Sequence, residues 1–456
     1  MKLPPKGHRP KGAKVPALPP SLAQVNLHAA GIDVGSQSHW VAVPTALAPE
    51  QSVREFGHFT EDLETLADWL VELGVNTVAM ESTGVYWISL FEVLEARGLE
   101  VLLVNARHVK NVPGRKSDVL DCQWLQQLHT FGLLRGAFRP PEQLCILRSY
   151  LRQRETLISS GSAHIQHMQK ALTQMNLPLQ TVVSDITGVS GMKIIHAILE
   201  GERDPHVLAG YRDRRCKHDE ATIAKALQGH YRQDHVFTLR QSVALYEFNR
   251  QQIIACEAAI EQHVGTFESQ TDQPLEPSAK VTKVVRKTLS FDAHTELHRM
   301  TGVDLTRIDG ISATTALKVI SEIGLDMTCW PTVKHFTSWL GLCPGTKVSG
   351  GKSLSGRTKL ATNRAATALR LAAQSLHRSN SALGAYYRRQ RIRLGTPKAI
   401  TATAHKLARI IYGVLKHGMD YIDLGQEHYE QQYQQKRIKN LRRQAKSLGF
   451  EITAAA

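Results

Sequence analysis

A chain of 456 residues with 42% hydrophobic and 21% charged residues is long enough for two or three domains, each with its own core, and has the balance of folded protein. No run approaches the roughly 18 uninterrupted apolar residues of a membrane span, and the first residues lack the apolar stretch of a signal peptide, so an intracellular protein with no membrane partner is expected. The formal net charge of +15 excludes a charge-balanced surface and directs attention to where the excess lies.

In chain order, residues 1–27 are rich in Pro, Gly and Lys without an acid and are predicted to form a disordered basic arm. Strand-like runs follow in "HAAGIDVGSQSHWVAVP", "NTVAMESTGVYW" and "LEVLLVNARHV", with helical spacing between them in "DLETLADWLVELG" and "WISLFEVLEARG". Strands alternating with helices predict an α/β domain over 28–140 with at least part of its sheet parallel. After Pro140 and Pro141 the period changes. Leu144, Leu147, Leu151, Ile158, Ile165, Met168 and Leu172 form one stripe at threes and fours, interrupted by Arg154 and Gly161, and Leu239, Val243, Tyr246, Ile253, Ile260 and Val264 form another. Two long heptad helices are predicted within 141–300, pairing with each other or with another protomer, with a smaller mixed insert at 178–235 and a polar connection at 266–296.

A C-terminal domain over 301–425 and a basic tail over 426–456 complete the chain. "DITGVSGMKIIHAI" (185–198) and "RIDGISATTALKVI" (307–320) resemble one another and a helix-hairpin-helix element, whose helix N-terminus can offer N–H groups to phosphate. A Gly turn between packed helices has the same spelling. Between Met327 and Met419 there are sixteen Lys or Arg and no Asp or Glu, so this block accounts for the charge excess. An acid-free block suits a polyphosphate, because each neutralised phosphate releases a counterion, and nucleic acid is the expected partner. The six cysteines show no Cys-x-x-Cys pair, which argues against a zinc site or disulfide framework and predicts buried thiols.

"KSDVLDCQW" places Asp118 and Asp121 three apart, beside Arg115 and Lys116. If "SDVLDCQWLQQLH" is a helix capped by Ser117, both carboxylates share one face, and like charges that close call for a cation between them. Asp33 ends the first strand and Glu81 ends the strand "NTVAM". Four carboxylates in one space would make a hard oxygen site for Mg²⁺ or Mn²⁺, able to assist phosphodiester chemistry. Each acid also has a plainer reading: Asp33 in "GIDVGS" fits the phosphate loop of an actin-like kinase, Glu81 can cap a turn, and Asp118 can cap its helix. His39, His129 and His405 lack partner spacing and are expected to be core or surface residues rather than ligands. Downstream, "GLCPGTKVSGGKSLSGRTK" (341–359) is a Gly- and Ser-rich loop in which Ser349, Ser353 and Ser355 are flanked by Lys347, Lys352, Arg357 and Lys359, a phosphate clamp or a nucleophile.

The segments "GIDVGSQSHWVAV", "ESTGVYW", "RKSDVLDCQWL", "IDGISATTALKVISEIG" and "FTSWLGLCPGTKVSGG", in that order, resemble the insertion sequence 110 (IS110) family of DEDD transposases, which includes the Piv-type DNA invertases. The resemblance implies an N-terminal RuvC-like domain of ribonuclease H fold, long coiled-coil helices, and a mainly helical C-terminal transposase domain with a helix-hairpin-helix-like element. It implies a catalytic tetrad of Asp33, Glu81, Asp118 and Asp121 holding Mg²⁺, and Ser349, five residues after the Pro of "GLCP", as the serine that links covalently to DNA. Expected nucleic-acid contacts are Arg115, Lys116, Lys347, Lys352, Arg357, Lys359 and Arg364. The implied partners are the DNA of element ends and target, a bridge RNA from the element, and further copies of the chain as a homodimer or tetramer in the bacterial cytoplasm, at the nucleoid. The alternatives are a RuvC-like nuclease using the acids alone, or an actin-like kinase.

Overall fold

The computed structural model describes residues 24–82, 84–105, 117–275, 289–358, 363–418 and 421–451. Contacts divide the chain after Arg139 into two compact units.

The first unit is built on a five-stranded sheet of β1 (Ala29–Val34), β2 (Ser38–Ala42), β3 (Val53–Gly57), β4 (Thr77–Glu81) and β5 (Glu100–Val104), in the order β3-β2-β1-β4-β5. β1 pairs antiparallel with β2 and parallel with β4, and β4 pairs parallel with β5. The sheet is therefore mixed, as an α/β alternation opened by a hairpin requires. Helices α1 (Thr60–Glu72) and α2 (Trp87–Ala96) cover one face. Leu63, Leu66, Leu70, Leu90 and Leu94 are buried there with Ile32, Val41 and Met80, each contributing about 1.5–3 kcal/mol on burial. Helix α3 (Asp118–Thr130) lies on the other face, where Ala79, Val104, Trp124 and Leu125 pack together. β3 is missing from the sequence expectation. Its "VREFG" does not alternate, since its two large apolar residues, Val53 and Phe56, stand three apart.

The arm expected over 1–27 is not wholly loose. Val25 and Asn26 donate backbone N–H groups to Thr130 O at 2.8 and 3.0 Å, and the Asn26 amide donates to His129 O, so residues 25–26 satisfy carbonyls at the end of α3.

The second unit is largely helical. The two heptad stripes become α4 (Glu142–Gln174) and α9 (Gln233–Gly265), each 33 residues long. They pack on each other antiparallel within one chain: Gln143 Nε2 meets Thr266, Cys256 Sγ donates to Tyr150 O, and Gly161 faces Asn249. Arg154, which breaks the apolar stripe in sequence, is buried in the seam against Glu257 at 2.6 Å, and Glu257 also accepts from Ser290 N.

The insert between them is helical rather than mixed. α5 (Leu179–Val182), α6 (Val189–Glu200), α7 (Pro205–Gly210) and α8 (Glu220–Ala226) share one core with Met168, Leu172, Leu239 and Val243 at the far end of the helix pair.

The rest of the unit comprises α10 (Ala293–Thr301), α11 (Ala313–Ile323), α12 (Val333–Trp339), α13 (Arg364–Ser375), α14 (Ala382–Leu394), α15 (Thr396–His417) and α16 (Gly425–Ser447). Between α12 and α13 stand two short strands, β6 (Lys347–Ser349) and β7 (Lys352–Ser355). Arg148 and Arg152 of α4 bind Glu322 of α11, and small residues of α13 (Ala365, Ala366, Ala373) allow close packing in its core.

The two look-alike segments differ. Ser312 caps α11 by accepting from Thr315 N at 3.2 Å, and Gly310 (φ 85°) turns against Ala372 O. In the earlier copy Gly188 caps α6, and Ser190 is buried inside the helix, accepting from Asp213 N. Of the cysteines, Cys122 is buried, Cys329 is exposed and the others lie between, all as free thiols. Among the described residues no helix is long and apolar enough to cross a membrane.

Candidate functional site

The acids are placed by how α3 crosses the sheet. Gly31 of β1 lets the helix backbone lie directly on the strand: a Cβ there would fall against Gln126 N and Cys122 O, far inside van der Waals contact. At its other end, His129 Nε2 sits 2.9 Å from Thr77 Oγ1 at the start of β4. Thr77 Oγ1 donates to Glu100 O, so the neutral imidazole is the donor to the threonine oxygen. With its C-terminus at the start of β4 and its middle on Gly31, α3 runs antiparallel to β1 and points its N-terminus at the strand ends carrying Asp33 and Glu81.

Those two acids share a face. Gly31 pairs with Ala79, and Asp33 and Glu81 each follow two residues later on parallel strands, on the α3 side of the sheet. The Cys122 thiol lies in the field of two of the acids. Burial, then the charges of Asp33 and Asp121, push it up to about 12. Glu81 is buried, Asp33 and Asp121 are half-buried and Asp118 is exposed. Asp33, Glu81 and Asp121 each have a further polar or electrostatic partner. Ser117 holds the N-cap position, but its side chain makes no capping bond; its carbonyl receives Leu120 and Asp121 N–H.

The donor set is all carboxylate, which fits a hard divalent cation and no zinc or copper site. Among the described residues, however, no three His, Cys, Asp or Glu are grouped tightly enough to hold a metal.

Ser349 lies on a hairpin rather than in a loop. Gly341 (φ 69°) ends α12 with Gly341 N–H on Ser338 O, and Leu342 returns to Thr337 O, fixing the exit of the chain. β6 and β7 then pair antiparallel with Ser349 opposite Lys352, joined by Gly350 and Gly351 at φ 54° and 76°. Positive φ at both central residues is the geometry a two-residue hairpin turn requires, and glycine adopts it without strain. Gly345 N–H to Arg357 O closes the base at 2.8 Å.

Ser349, Lys352 and Arg357 are exposed, and a Cβ on either turn glycine would meet open space. Arg364, the first residue of α13, is instead engaged by Glu155 of α4 at 3.3 Å; the same carboxylate takes Lys318 at 2.6 Å. Arg115, Lys116 and Lys359, and the side chain of Lys347, lie outside what the structure describes.

Burial lowers the pKa of His39, with His58 adding to the effect, and that of His129; burial and then Arg409 lower that of His405.

Two family models match the chain. One, for DEDD transposases of the IS110 type, covers residues 30–177, from β1 through the acids and along α4; the other, the transposase IS116/IS110/IS902 family, covers residues 304–388, from before α11 through the serine hairpin into α14. The chain belongs to the IS110 family of transposases. No curated protein matches it. Family membership makes it a transposase that cleaves and rejoins DNA, and the mixed sheet followed by a mostly helical region agrees with that family. It also removes the actin-like kinase from consideration, since the acid-bearing strand and the hairpin fall within transposase matches.

Sequence reasoning missed one group. Lys406 and Arg409 of α15, with Tyr386 of α14, line a recess in the acid-free block. Their signal was helical spacing of cations and aromatics, and it is legible only once α14, α15 and the segment before α12 are brought together.

Proposed function

We propose that this transposase acts on its own insertion sequence through a RuvC-like site of ribonuclease H fold and a serine nucleophile, guided by a bridge RNA transcribed from the element. Asp33, Glu81, Asp118 and Asp121 would hold Mg²⁺ or Mn²⁺, and a divalent cation there would stabilise charge on phosphate oxygens. Ser349 Oγ attacks phosphorus of the scissile diester. The Ser349 O–P bond forms, the P–O bond to the leaving sugar oxygen breaks, and the serine proton leaves to a base while the leaving oxygen gains one. Rejoining reverses this with a new strand hydroxyl as attacker, so serine is regenerated and no energy source is consumed.

Lys352, held opposite Ser349 by the hairpin register, and Arg357 supply positive charge where it would build on the phosphate. Arg115, Lys116, Lys347 and Lys359 are assigned to phosphate contacts, and Arg364 to a contact that competes with Glu155. Assembly as a homodimer or tetramer at the nucleoid belongs to this reading, although the α4–α9 pairing within one chain removes the heptad stripes as an argument for it.

The observation that carries the reading is the exposed serine on a glycine turn inside the IS110 match, in a chain whose other match holds the converging acids. Denaturing electrophoresis of end-labelled element-junction DNA, with protein, Mg²⁺ and transcript from the element's non-coding end, tests it. A protein-linked strand should form, persist in Ser353→Ala and Ser355→Ala, and vanish in Ser349→Ala. Strand exchange at full rate in Ser349→Ala would favour the acids-only nuclease.

A further inference from the structure

The acid-free block holds a concave site apart from the hairpin. A recess of about 860 Å³ opens between α15, α14 and the segment that leads into α12. Pro331, Val333, Ile410, Tyr412 and Gly413 form an apolar side, Lys406 and Arg409 bring cations to it, and His405 and His417 complete its lining. Among the described residues no carboxylate lines it.

Lys406 is the unusual member. Its ammonium lies 4.5 Å from the Tyr386 ring centroid and 5.4 Å from that of Tyr429. Among the described residues, neither Lys406 nor Arg409 forms an ion pair. Burial, with Lys436 and Arg409 as like charges, holds Lys406 below the ordinary lysine range. Lys416, by contrast, is already satisfied by Trp330 O, Pro331 O and Tyr412 Oη. A half-buried lysine held only by aromatic faces and like charges is a poor structural device, because desolvation opposes its charge and no anion offsets it. An incoming anion would supply the missing partner.

We infer that this recess binds one unpaired nucleotide of a nucleic-acid strand, its phosphodiester on Lys406 and Arg409 and its base against the apolar side formed by Val333, Ile410 and Tyr412. The inference rests on the nucleic-acid reading above and adds a site to it. The volume falls in the usual range for pockets that enclose a small ligand, roughly 300–1,000 Å³. A duplex cannot enter such a recess, whereas an unstacked nucleotide offers both the anion and the flat apolar surface that its two sides require. A free acidic peptide would meet the cations but leave the apolar side unused.

Fluorescence anisotropy on the full chain in a Ser349→Ala background tests this, using a short labelled strand as DNA and as RNA and the duplex of the same sequence. Lys406→Met removes the charge, Gly413→Leu fills the recess with all charges kept, and Lys398→Gln, on the exposed first turn of α15, controls for loss of one cation. Both recess variants should weaken single-strand binding about tenfold while duplex binding changes less than twofold, and Lys398→Gln should stay near the parent for both. Whichever of the DNA and RNA strands shows the loss identifies the source.

Parent-like single-strand binding by Gly413→Leu, equal losses for duplex and single strand, or displacement by polyglutamate as readily as by oligonucleotide would each overturn the proposal. Arg409→Gln, at an exposed position, gives the same reading should Lys406→Met melt early by circular dichroism. Because binding is read without cleavage, absence of a covalent product in the parent would sink the serine mechanism and leave this result standing.

Discussion

The acids of the α/β unit and the serine of the hairpin sit on opposite kinds of scaffold. Asp33 and Glu81 end strands buried in the middle of a sheet, and Asp121 is on a helix pressed so closely to β1 that Gly31 has no room for a side chain. Ser349 ends a three-residue strand beside two glycines in open space. Packing fixes Asp33, Glu81 and Asp121; a short backbone ladder and its glycine turn fix the serine. Substitutions beneath the acids should therefore act through stability, and those around the serine through local geometry with little effect on folding.

The sharpest way to break this contrast is to remove charge without volume. Asp33→Asn and Asp121→Asn should each reduce strand cleavage about a thousandfold, roughly 4 kcal/mol in barrier, while leaving DNA binding by gel shift and the thermal transition near those of the parent. Parent-like cleavage by both variants would remove the acids from the chemistry.

Next in size is a purely structural comparison inside the second unit. Arg154→Met leaves Glu257 charged in the α4–α9 seam and should destabilise the pair by about 3–5 kcal/mol, whereas Arg154→Met with Glu257→Leu should recover most of that loss. Hydrogen exchange along α4 and α9 measures both. This seam also shows what a sequence can and cannot say. The stripes at threes and fours announced two long helices, but not that they pair with each other, because an apolar stripe is the same whether its partner is in its own chain or another. Arg154 reads as a fault in its stripe until Glu257, 103 residues away, is placed against it.

The same limit applies around the acids. Apart from β3, the strands and helices of the α/β unit were legible from periodicity, and the motif order pointed to the four acids. What brings α3 onto β1 was not, since Gly31 is one more glycine until the helix backbone occupies its missing Cβ. The hairpin was legible in part: Gly350-Gly351 is a turn signal, but flanking strands of three and four residues rich in Lys and Ser resemble a loop. Gly31→Ala and Gly350→Ala compare the two cases. The first forces α3 off the sheet and should cost about 1–3 kcal/mol or more by urea denaturation. The second meets no atom and costs only the strain of a left-handed alanine, about 1 kcal/mol, yet should lower serine-dependent linkage by altering the turn.

The smallest effect concerns pH. His129 anchors the C-terminal end of α3 as a neutral donor to Thr77, and burial lowers its pKa from the ordinary 6.5. For a base with a lowered folded-state pKa, the unfolded chain binds the proton first, so stability is complete above about pH 6.5 and falls as pH drops through that value toward the folded pKa. His129→Gln keeps a donor that can reach Thr77 but cannot titrate in this range. The difference between parent and variant urea midpoints should therefore change between pH 7.5 and pH 5.5 in favour of the variant, with the change confined by hydrogen exchange to α3 and β4. The hairpin has no histidine between Leu342 and Thr358, and its amides should show no parallel change. An identical pH response in parent and variant would mean that the proton is taken up elsewhere and that the His129 anchor does not set the position of α3.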